Sequence, residues 1–442
     1  MSSNPLQHVL GRSDSDDHQV KETLVARCKH DSIIFSQGKT CLDIPLVQCP
    51  RTLDAIQMAS DLMKSDSIVA FPTETVYGLG ASALSSTAVA KIFAVKGRPS
   101  DNPLIIHISS MDLLKTFLPL DWVMPPTYQA LIESFWPGPL TLLMPTTSSS
   151  QPVSNISQLV TCGLSTVGVR MPVHPIARAL IAQCGVPLAA PSANRSGFPS
   201  PTTAQHVASD LDKKISLILD GGPCSVGVES TVVDGLNPDG RLRILRLGGL
   251  SVEDINMCLV RAGLSHSESQ SGIAWVHNKD FKDSSLEITP TTPGMKYKHY
   301  APRPKVTVLD PVEVKDSSFA EDSTIPDVPR LLIETSRIVG PLKTLTIGLM
   351  MIEKSPLIQA FTACAKLPEF SNIRFCHFDL GTIDKPEASA QRLFSALRYL
   401  DEDAKVDLIF VERHSEKGLG ATVMERLRKA SSQTPFQPVR LP

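Results

Sequence analysis

The chain has 442 residues and a formal net charge of −2. This length exceeds one ordinary core, so two or three domains are expected. The near-neutral charge argues against a surface that coats polyanions, and any anion site must be local. No apolar run reaches the roughly 18 residues that a membrane helix needs. The nine cysteines are scattered without a Cys-x-x-Cys pair, which favours a reducing compartment over a disulfide or zinc framework. With acidic residues early and no apolar leader, we expect a cytoplasmic protein.

The first part of the chain lacks a regular pattern. Residues 1–45 are polar and weakly patterned, so we assign them to a flexible N-terminal extension. Helical spacing of apolar residues begins at Leu53 and continues to about Ser65. The first folded domain therefore starts close to residue 46.

A short apolar run at 67–71 reads as a buried strand, and polar residues follow it directly. The segment 72–80, Pro-Thr-Glu-Thr-Val-Tyr-Gly-Leu-Gly, supplies two hydroxyls, a carboxylate and two glycines. Ligands bind at such strand exits in α/β sheets. Six residues separate the strand from Gly78, which does not fit a dinucleotide fingerprint. We therefore interpret Gly78 and Gly80 as makers of tight turns.

Two cations follow the next helix. Ser85 or Ser86 can cap this helix, and Lys96 and Arg98 stand at its C-terminal end. The helix dipole favours cations there, so part of their placement needs no function. Together with the hydroxyls of 72–80, they predict a pocket for an anion.

Strand-like and helical runs then alternate incompletely, which predicts a mixed sheet. The strands are expected at 140–144, 166–170, 186–190, 217–220, 230–234 and 242–246, and helices at 174–183, 202–211 and 252–262. Beyond a Ser/Thr-rich, charged stretch, βαβ spacing predicts a small parallel sheet. Its strands are expected at 305–309, 345–351, 373–379 and 407–411, and its helices at 356–365 and 388–400.

Several strand exits carry polar residues suited to anions. The segment 191–197, Pro-Ser-Ala-Asn-Arg-Ser-Gly, offers amides and a hydroxyl, although a plain Asx-type turn would use the same residues. The segment 227–231 is a second exit. Arg170 and Arg246 each stand on an apolar strand and need a partner, either a ligand carboxylate or a structural ion pair. His107 ends another strand, where a packed, hydrogen-bonded histidine is the commoner role.

Several kinds of chemistry lack their motifs. There is no P-loop, no His-Glu-x-x-His and no Gly-x-Ser-x-Gly. These absences argue against a protein-held catalytic metal and against covalent catalysis. The remaining hydroxyls, amides and cations suit phosphate and carboxylate substrates that react directly, with catalysis by positioning and charge stabilisation.

Six motifs in order resemble those of the YrdC-type threonylcarbamoyl-AMP synthases. They are FPTETVYGLG at 71–80, KGRPSDNPL at 96–104, WPGPLT at 136–141, VRMP at 169–172, APSAN at 190–194 and GVEST at 227–231. The motif KYKHYAP at 296–302 and the domain after it resemble the longer, two-domain branch.

The resemblance implies an α/β fold in two domains. A YrdC-like catalytic domain at 46–264, with a twisted mixed sheet and a concave pocket, would be joined by a linker at 265–304 to a smaller, Rossmann-like parallel-sheet domain at 305–442.

It also implies the activity of an L-threonylcarbamoyladenylate synthase, a nucleotidyltransferase. Such an enzyme joins L-threonine, bicarbonate or CO2, and ATP into threonylcarbamoyl-AMP and pyrophosphate. The product feeds the threonylcarbamoyladenosine modification of tRNA beside the anticodon, through a downstream tRNA-modifying transferase complex. Mg2+ would be held mainly by the ATP phosphates. Weak RNA binding is compatible with the local cations, and no membrane partner is implied.

The family's functional residues carry over position by position. Those of the threonine site are Thr75, His107, Arg170, Ala190 and Ser230. Those of the ATP site are Arg98, Asn102, Thr166, Ser192, Ser200, Arg246 and Tyr300. The resemblance places Arg170 on the threonine carboxylate and gives Lys96 and Arg98 the catalytic roles beside the phosphates. Tyr300 of the linker would close over the nucleotide, with Tyr297 as the alternative.

Three rival interpretations differ in class. The main alternative is an RNA-binding YrdC-like protein without synthase activity, against which the net charge of −2 counts. A carbamoyltransferase module of hydrogenase maturation would carry zinc-finger cysteine pairs, which this sequence lacks. A non-catalytic paralogue would have lost polar motif residues, and here they are intact.

Overall fold

The computed structural model describes residues 22–35, 44–147, 155–237, 241–264, 274–277, 279–281, 283, 291, 299–312, 325–339, 344–431 and 435–441. The chain divides into two compact units. The first comprises residues 1–196 and 200–297, and the second comprises residues 197–199 and 298–442. Among the described helices, none combines the length and the apolar character that crossing a bilayer requires.

The first unit is built on an eleven-stranded mixed sheet, as predicted. The described part of this unit has two further strands, β2 and β3, which form a separate hairpin. In chain order the strands are β1 (Leu24–Arg27), β2 (Ile33–Ile34), β3 (Leu46–Val47), β4 (Val69–Phe71), β5 (Gly78–Ser82), β6 (Ile105–His107), β7 (Leu140–Pro145), β8 (Thr166–Arg170), β9 (Leu188–Ala189), β10 (Leu217–Asp220), β11 (Thr231–Asp234), β12 (Leu242–Arg246) and β13 (Ala274–Val276). The large sheet has the order β1-β10-β4-β5-β9-β6-β8-β7-β11-β12-β13.

Among the described residues of this unit, eight α-helices pack around the sheet. They are α1 (Pro50–Lys64), α2 (Ser86–Lys96), α3 (Met111–Lys115), α4 (Pro126–Phe135), α5 (Gln158–Thr161), α6 (Pro175–Cys184), α7 (Ala204–Leu211) and α8 (Val252–Arg261). Local sequence sets their starts, since proline occupies the first turn of α1 and the Ser85 hydroxyl accepts the Ala88 amide at α2, as predicted. Lys96 ends α2, and this places a cation at the helix terminus.

The glycines of 78–80 differ from the prediction. Gly78 and Gly80 do not make turns but lie in β5, which runs antiparallel to β4. A Cβ on Gly80 would lie 2.5 Å from the Phe71 ring and 3.0 Å from the Met63 methyl group. Glycine is therefore required because the strand runs against a buried aromatic ring, and a segment without large apolar residues still forms a buried strand.

Two further segments differ in their assignment. Within the predicted extension 1–45, β1 pairs in parallel with β10 at the edge of the sheet. Within the predicted linker 265–304, β13 pairs in parallel with β12 at the opposite edge. Both strands are short, and their stability depends on partners distant in sequence, so local pattern gives little sign of them.

The second unit holds a five-stranded sheet in which all pairs are parallel, as predicted. Its strands are β14 (Lys305–Val312), β15 (Leu345–Met351), β16 (Ile373–Asp379), β17 (Leu408–Glu412) and β18 (Gln437–Arg440), in the order β16-β15-β17-β14-β18. Its helices are α9 (Val328–Val339), α10 (Pro356–Cys364), α11 (Pro386–Arg398) and α12 (Leu419–Ser431). Helix α9 packs with α10 and α11 packs with α12, which fits right-handed crossovers that cover both faces.

Candidate active site

A buried ion pair lies at the C-terminal end of β8. The Arg170 guanidinium, 3% exposed, pairs with the Glu74 carboxylate, which is equally buried. Its Nη1 donates to the Thr75 hydroxyl at 2.7 Å, and its Nε donates to the Gly138 carbonyl at 3.1 Å. Arg170 therefore joins the 72–80 segment to the WPGPLT motif, and the structural ion pair considered for it is present.

His107 lies directly beside this pair. It is the register partner of Arg170 on the adjacent parallel strand β6, and it is 5% exposed. Burial, and the positive charge of Arg170, lower the pKa of His107 to about 3. The imidazole is therefore neutral at physiological pH.

Ser230 connects the threonine set to the ATP set. Its hydroxyl lies 2.7 Å from the hydroxyl of Thr141, whose register partner on β8 is Arg170. Arg246 donates to the Ser230 carbonyl at 2.8 and 3.2 Å and to its hydroxyl at 3.1 Å. A residue predicted for threonine and one predicted for ATP are thus in direct contact.

Ser200 joins the same cluster from another loop. Its fully buried hydroxyl donates to the Glu229 carboxylate at 2.8 Å. A Cβ on Gly248 would come within 2.4 Å of backbone atoms of Glu229, Ser230 and Thr231. The GVEST motif is therefore packed against a glycine backbone that admits no side chain.

Lys96 organises the APSAN loop. Its buried ammonium donates to the carbonyls of Ser192 and Asn194. The same loop pairs with the 72–80 segment, since the Leu79 amide donates to the Pro191 carbonyl at 2.8 Å and Gly78 bridges to Ser192. Two motifs more than 100 residues apart therefore meet at the end of α2.

Arg98 and Asn102 also form one unit. Arg98 donates to the Asn102 side-chain oxygen at 2.7 Å, to its carbonyl at 3.0 Å and to the Pro103 carbonyl at 2.9 Å. Thr166 begins β8, and Asn102 precedes β6 by three residues. These residues therefore lie at the ends of β6 and β8 that are opposite to the ends with His107 and Arg170. The two ends of a five-residue strand such as β8 are about 13 Å apart.

Ala190, predicted for threonine, lies at the start of β6. Its amide donates to the carbonyl of Ile105 at 3.0 Å. The strands thus arrange the predicted residues in two clusters, one around Arg170 and one around Arg98. Ala190 and the APSAN loop lie near the second.

The linker tyrosines are placed differently. Tyr300 belongs to the second unit, where it is 1% exposed and has a φ of +62°. Its ring lies 5.2 Å from the ring of Phe394. Tyr297, the alternative, lies outside the described residues, as do the other first residues of the KYKHYAP motif.

Two carboxylates of the site were absent from the predicted set. Glu74 is the counter-ion of Arg170, and Glu229 holds Ser200. Each is a lone acidic residue inside a polar motif at a strand exit, and such a residue beside predicted buried cations is the signal that could have identified them. Within the described ranges, no group of three or more His, Cys, Asp or Glu residues could hold a metal ion.

Comparisons with known proteins decide the family. A family model described as "Telomere recombination" matches residues 61–248, and one described as "Threonylcarbamoyl-AMP synthase, C-terminal domain" matches residues 250–432. The threonylcarbamoyl-AMP synthase of Schizosaccharomyces pombe is 40% identical, with 86% of this chain and 89% of that protein covered. The chain belongs to the two-domain, Sua5-type threonylcarbamoyl-AMP synthases. The synthase of Bacillus subtilis is 38% identical, with 85% of this chain and 92% of that protein covered.

A solved member of the Sua5 family has the same fold. The crystal structure of Pyrococcus abyssi Sua5 complexed with L-threonine matches with a TM-score of 0.69 and 35% identity, over 95% of this chain and all of that chain. The predicted family, fold class and enzyme class are confirmed, and nothing in these comparisons favours the RNA-binding alternative.

Proposed function

We propose that the predicted residues of the first unit form adjoining subsites that bind L-threonine and ATP and join them, with bicarbonate or CO2, into threonylcarbamoyl-AMP and pyrophosphate. The observation that carries the proposal is the buried chain of contacts from Thr75 through Arg170 and Thr141 to Ser230 and Arg246. It connects a carboxylate-binding guanidinium to a phosphate-binding one. Two adjoining subsites are what the reaction needs, since the two substrates must react directly with each other.

The threonine subsite is centred on Arg170. A guanidinium carries five N–H groups, and three of them donate to Glu74, Thr75 and Gly138. The other two can receive the threonine carboxylate. Glu74 fixes the orientation of the fork, and neutral His107 adds no charge that would repel the threonine ammonium. Ala190 and Ser230 complete the set. The threonine bound to Pyrococcus abyssi Sua5 supports this substrate.

The ATP subsite uses the remaining predicted residues, namely Arg98, Asn102, Thr166, Ser192, Ser200, Arg246 and the linker residue Tyr300, with Tyr297 as its alternative. The threonine ammonium loses a proton, and the free amine attacks CO2, releasing a proton, or bicarbonate, releasing water. An oxygen of the resulting carbamate then attacks the α-phosphorus as the bond to pyrophosphate breaks. Lys96 and Arg98 stabilise the charge that develops on the phosphates. Mg2+ bound to the ATP phosphates would supply charge neutralisation for the leaving pyrophosphate. The adenylate then passes to a tRNA-modifying transferase complex.

The deciding experiment is pyrophosphate release with ATP and bicarbonate, measured with and without L-threonine. We expect release that requires threonine, with threonylcarbamoyl-AMP formed in equal amount. Release independent of threonine, or none at all, would refute the proposal. Duplex RNA binding with a steep salt dependence and no pyrophosphate release would instead favour the RNA-binding alternative.

A further inference from the structure

A buried arginine of the second unit holds a segment that comes from the middle of the catalytic sequence. Residues 197–199 belong to the second unit, although the residues on either side belong to the first. Arg398 is 1% exposed, and its Nε and Nη2 donate to the Pro199 carbonyl at 3.1 and 2.7 Å. Its Nη1 donates to Glu402 at 2.7 Å. A buried charge with this fork geometry fixes one main-chain carbonyl in place.

The same segment is tied to the end of the linker. The Ala301 amide donates to the Gly197 carbonyl at 3.0 Å. The preceding residue, Tyr300, has a φ of +62°, which is a strained conformation for a bulky side chain. Its ring contacts Phe394, and the Arg426 guanidinium lies 5.1 Å from its centre. These contacts hold the strained backbone and keep the 197–199 segment beside the linker end.

We call these contacts of Arg398 and Ala301 with residues 197–199 the clamp, and a π-helical turn positions them. Residues Tyr399–Asp403 form the turn directly after α11, and such turns are rare and frequent at functional sites. The turn directs Asp401 to the amide and Nε of Arg303, at 3.1 and 2.8 Å. It also directs Glu402 to Arg398. One irregular turn therefore fixes both the linker end and the arginine that grips Pro199.

We propose that Arg398 is a positioning residue for ATP binding, and the idea rests on the proposed function of Ser200. The chain leaves the clamp at Pro199 and continues directly into Ser200, whose hydroxyl reaches Glu229. On the other side of the clamp, the Ser196 amide donates to the carbonyl of Lys96. Along the chain, the 197–199 segment thus connects Ser196, which donates to Lys96, with Ser200. Fixing its backbone pre-organises Ser200, a residue proposed for ATP, whereas Arg170 is held by Thr75 and Gly138, which come from other segments of the chain.

A purely structural role for Arg398 predicts a different result. An arginine that only stabilises the second unit would, when replaced, lower the melting temperature and the amount of active enzyme without changing the KM for either substrate. A positioning role instead raises the KM for ATP and leaves the KM for threonine nearly unchanged. The split between the two KM values therefore separates the interpretations.

The test compares R398K and R398A with R392A in the full-length protein. Arg392 lies on the same helix, is 42% exposed and pairs with Asp379, so it is a matched control outside the clamp. Lysine keeps the charge but loses the fork, so R398K should fold and show a KM for ATP raised about tenfold, with the KM for threonine within about twofold of wild type. R398A should show a larger rise, and R392A none.

Two results overturn the proposal: an unchanged KM for ATP in folded R398K, or equal rises for ATP and threonine. If R398A does not fold, R398K decides alone, and its ATP dissociation constant from calorimetry gives a second, activity-independent readout. Threonine-dependent pyrophosphate release by the wild-type protein is measured first. Its absence would refute the proposed function. If it is present and the KM for ATP of R398K equals that of wild type, only the role of Arg398 is refuted.

Discussion

The two sheets of this protein differ in the polar groups at their strand ends and in what those groups bind. In the first unit, the ends of β6 and β8 carry His107 and Arg170, and neighbouring loops add hydroxyls and further cations. In the second unit, β15 and β17 are adjacent strands whose chains continue to opposite faces, which is the place where such sheets bind ligands. There the Glu412 carboxylate accepts from the Ile352 amide at 3.0 Å and from the Ser355 hydroxyl at 2.7 Å.

The difference shows that side chains, and not sheet topology, make a binding site. The donors that an anion would use between β15 and β17 are already taken by a carboxylate of the protein itself. Glu412 is 4% exposed, and burial raises its pKa. In the first unit Arg170 also has an internal carboxylate, but only three of the five N–H groups of its guanidinium donate to Glu74, Thr75 and Gly138, and the proposed function gives the other two to the threonine carboxylate. Six variants, at five positions, test this contrast.

The largest effect is expected for R170A. The substitution removes the guanidinium that is proposed to bind the threonine carboxylate. It also leaves Glu74 buried without its counter-ion, which lowers the free energy of unfolding by about 3–5 kcal/mol. We expect kcat/KM for threonine to fall about 100- to 1,000-fold, mainly through KM, in pyrophosphate release at graded threonine concentrations. Arg261, at the end of α8, gives a matched control as R261A. An unchanged threonine dependence in folded R170A would defeat the assignment of the carboxylate to Arg170.

For the second unit, E412A should act on stability alone. It leaves the Ile352 amide and the Ser355 hydroxyl without their acceptor, and we expect the free energy of unfolding to fall by about 2–3 kcal/mol in urea denaturation. The KM values of folded protein should not change. The exposed Glu369 gives the control E369A. A nucleotide that binds the second unit once Glu412 is removed would sharpen the comparison further, because it would identify the carboxylate as the group that fills the crevice.

Lowering the pH should change the stability contributions of His107 in the first unit and Glu412 in the second unit in opposite directions. The pKa of His107 is about 3 in the fold, below its ordinary value of 6.5. Between these values the unfolded chain binds a proton that the native site does not, so stability falls as pH falls, by at most about 1.4 kcal/mol per pH unit. H107N should lose less stability than wild type between pH 6.5 and 4.5, and the exposed His377 gives the control H377N. An identical pH dependence of unfolding in H107N would contradict the buried, neutral state.

The contribution of Glu412 to stability should increase, and not decrease, as the pH is lowered. Because its pKa is raised in the fold, the native state takes up a proton more readily than the unfolded chain, and its contribution to stability improves as pH falls through the raised value. E412Q, which cannot titrate, should therefore lack this gain in the same measurement.

The smallest effects are expected from two glycines on buried strands. An added Cβ at Gly80 meets the Phe71 ring at 2.5 Å, so G80A should cost about 1–3 kcal/mol of unfolding free energy. At Gly348 on β15 the nearest atoms are the methyl ends of Leu400, at 3.0 and 3.1 Å. These can shift, so G348A should cost less than about 1 kcal/mol. Equal losses in the two variants would show that the first sheet is no more tightly packed than the second.

Sequence pattern predicted the elements that are apolar and continuous. The strands 166–170, 217–220 and 345–351 have the predicted bounds, because β-branched and aliphatic runs leave little choice of structure. Strand β5 was not predicted as a strand, since Gly-Leu-Gly-Ala-Ser has no such run. Its conformation is set by the Phe71 ring and by pairing with β4, which are tertiary interactions.

The helices α9 and α12 and the strand β18 were also absent from the prediction. The C-terminal helix α12 follows a charged, glycine-containing loop, and its pattern is amphipathic without strong start signals. The parallel partner of β18 is β14, more than 120 residues earlier. Such pairings cannot be read from local sequence.

For the site, motifs supplied residue types but not partners. The resemblance named Arg170 and Thr75, and the structure brings them within 2.7 Å. It did not indicate that the Arg170 guanidinium would also donate to Glu74, since these two residues are 96 positions apart. The grip of Arg398 on Pro199 spans 199 positions and involves a main-chain carbonyl, which leaves no trace in residue type.

The parallel edge strand β1 has a consequence for shortened forms of this protein. It covers β10, whose other neighbour is β4. A chain that began at Met58 or Met63 would lose β1 and much of helix α1, and β10 would become an open edge. Unpaired strand edges recruit other chains, so such a form would be prone to aggregate even with every residue of the proposed site still present.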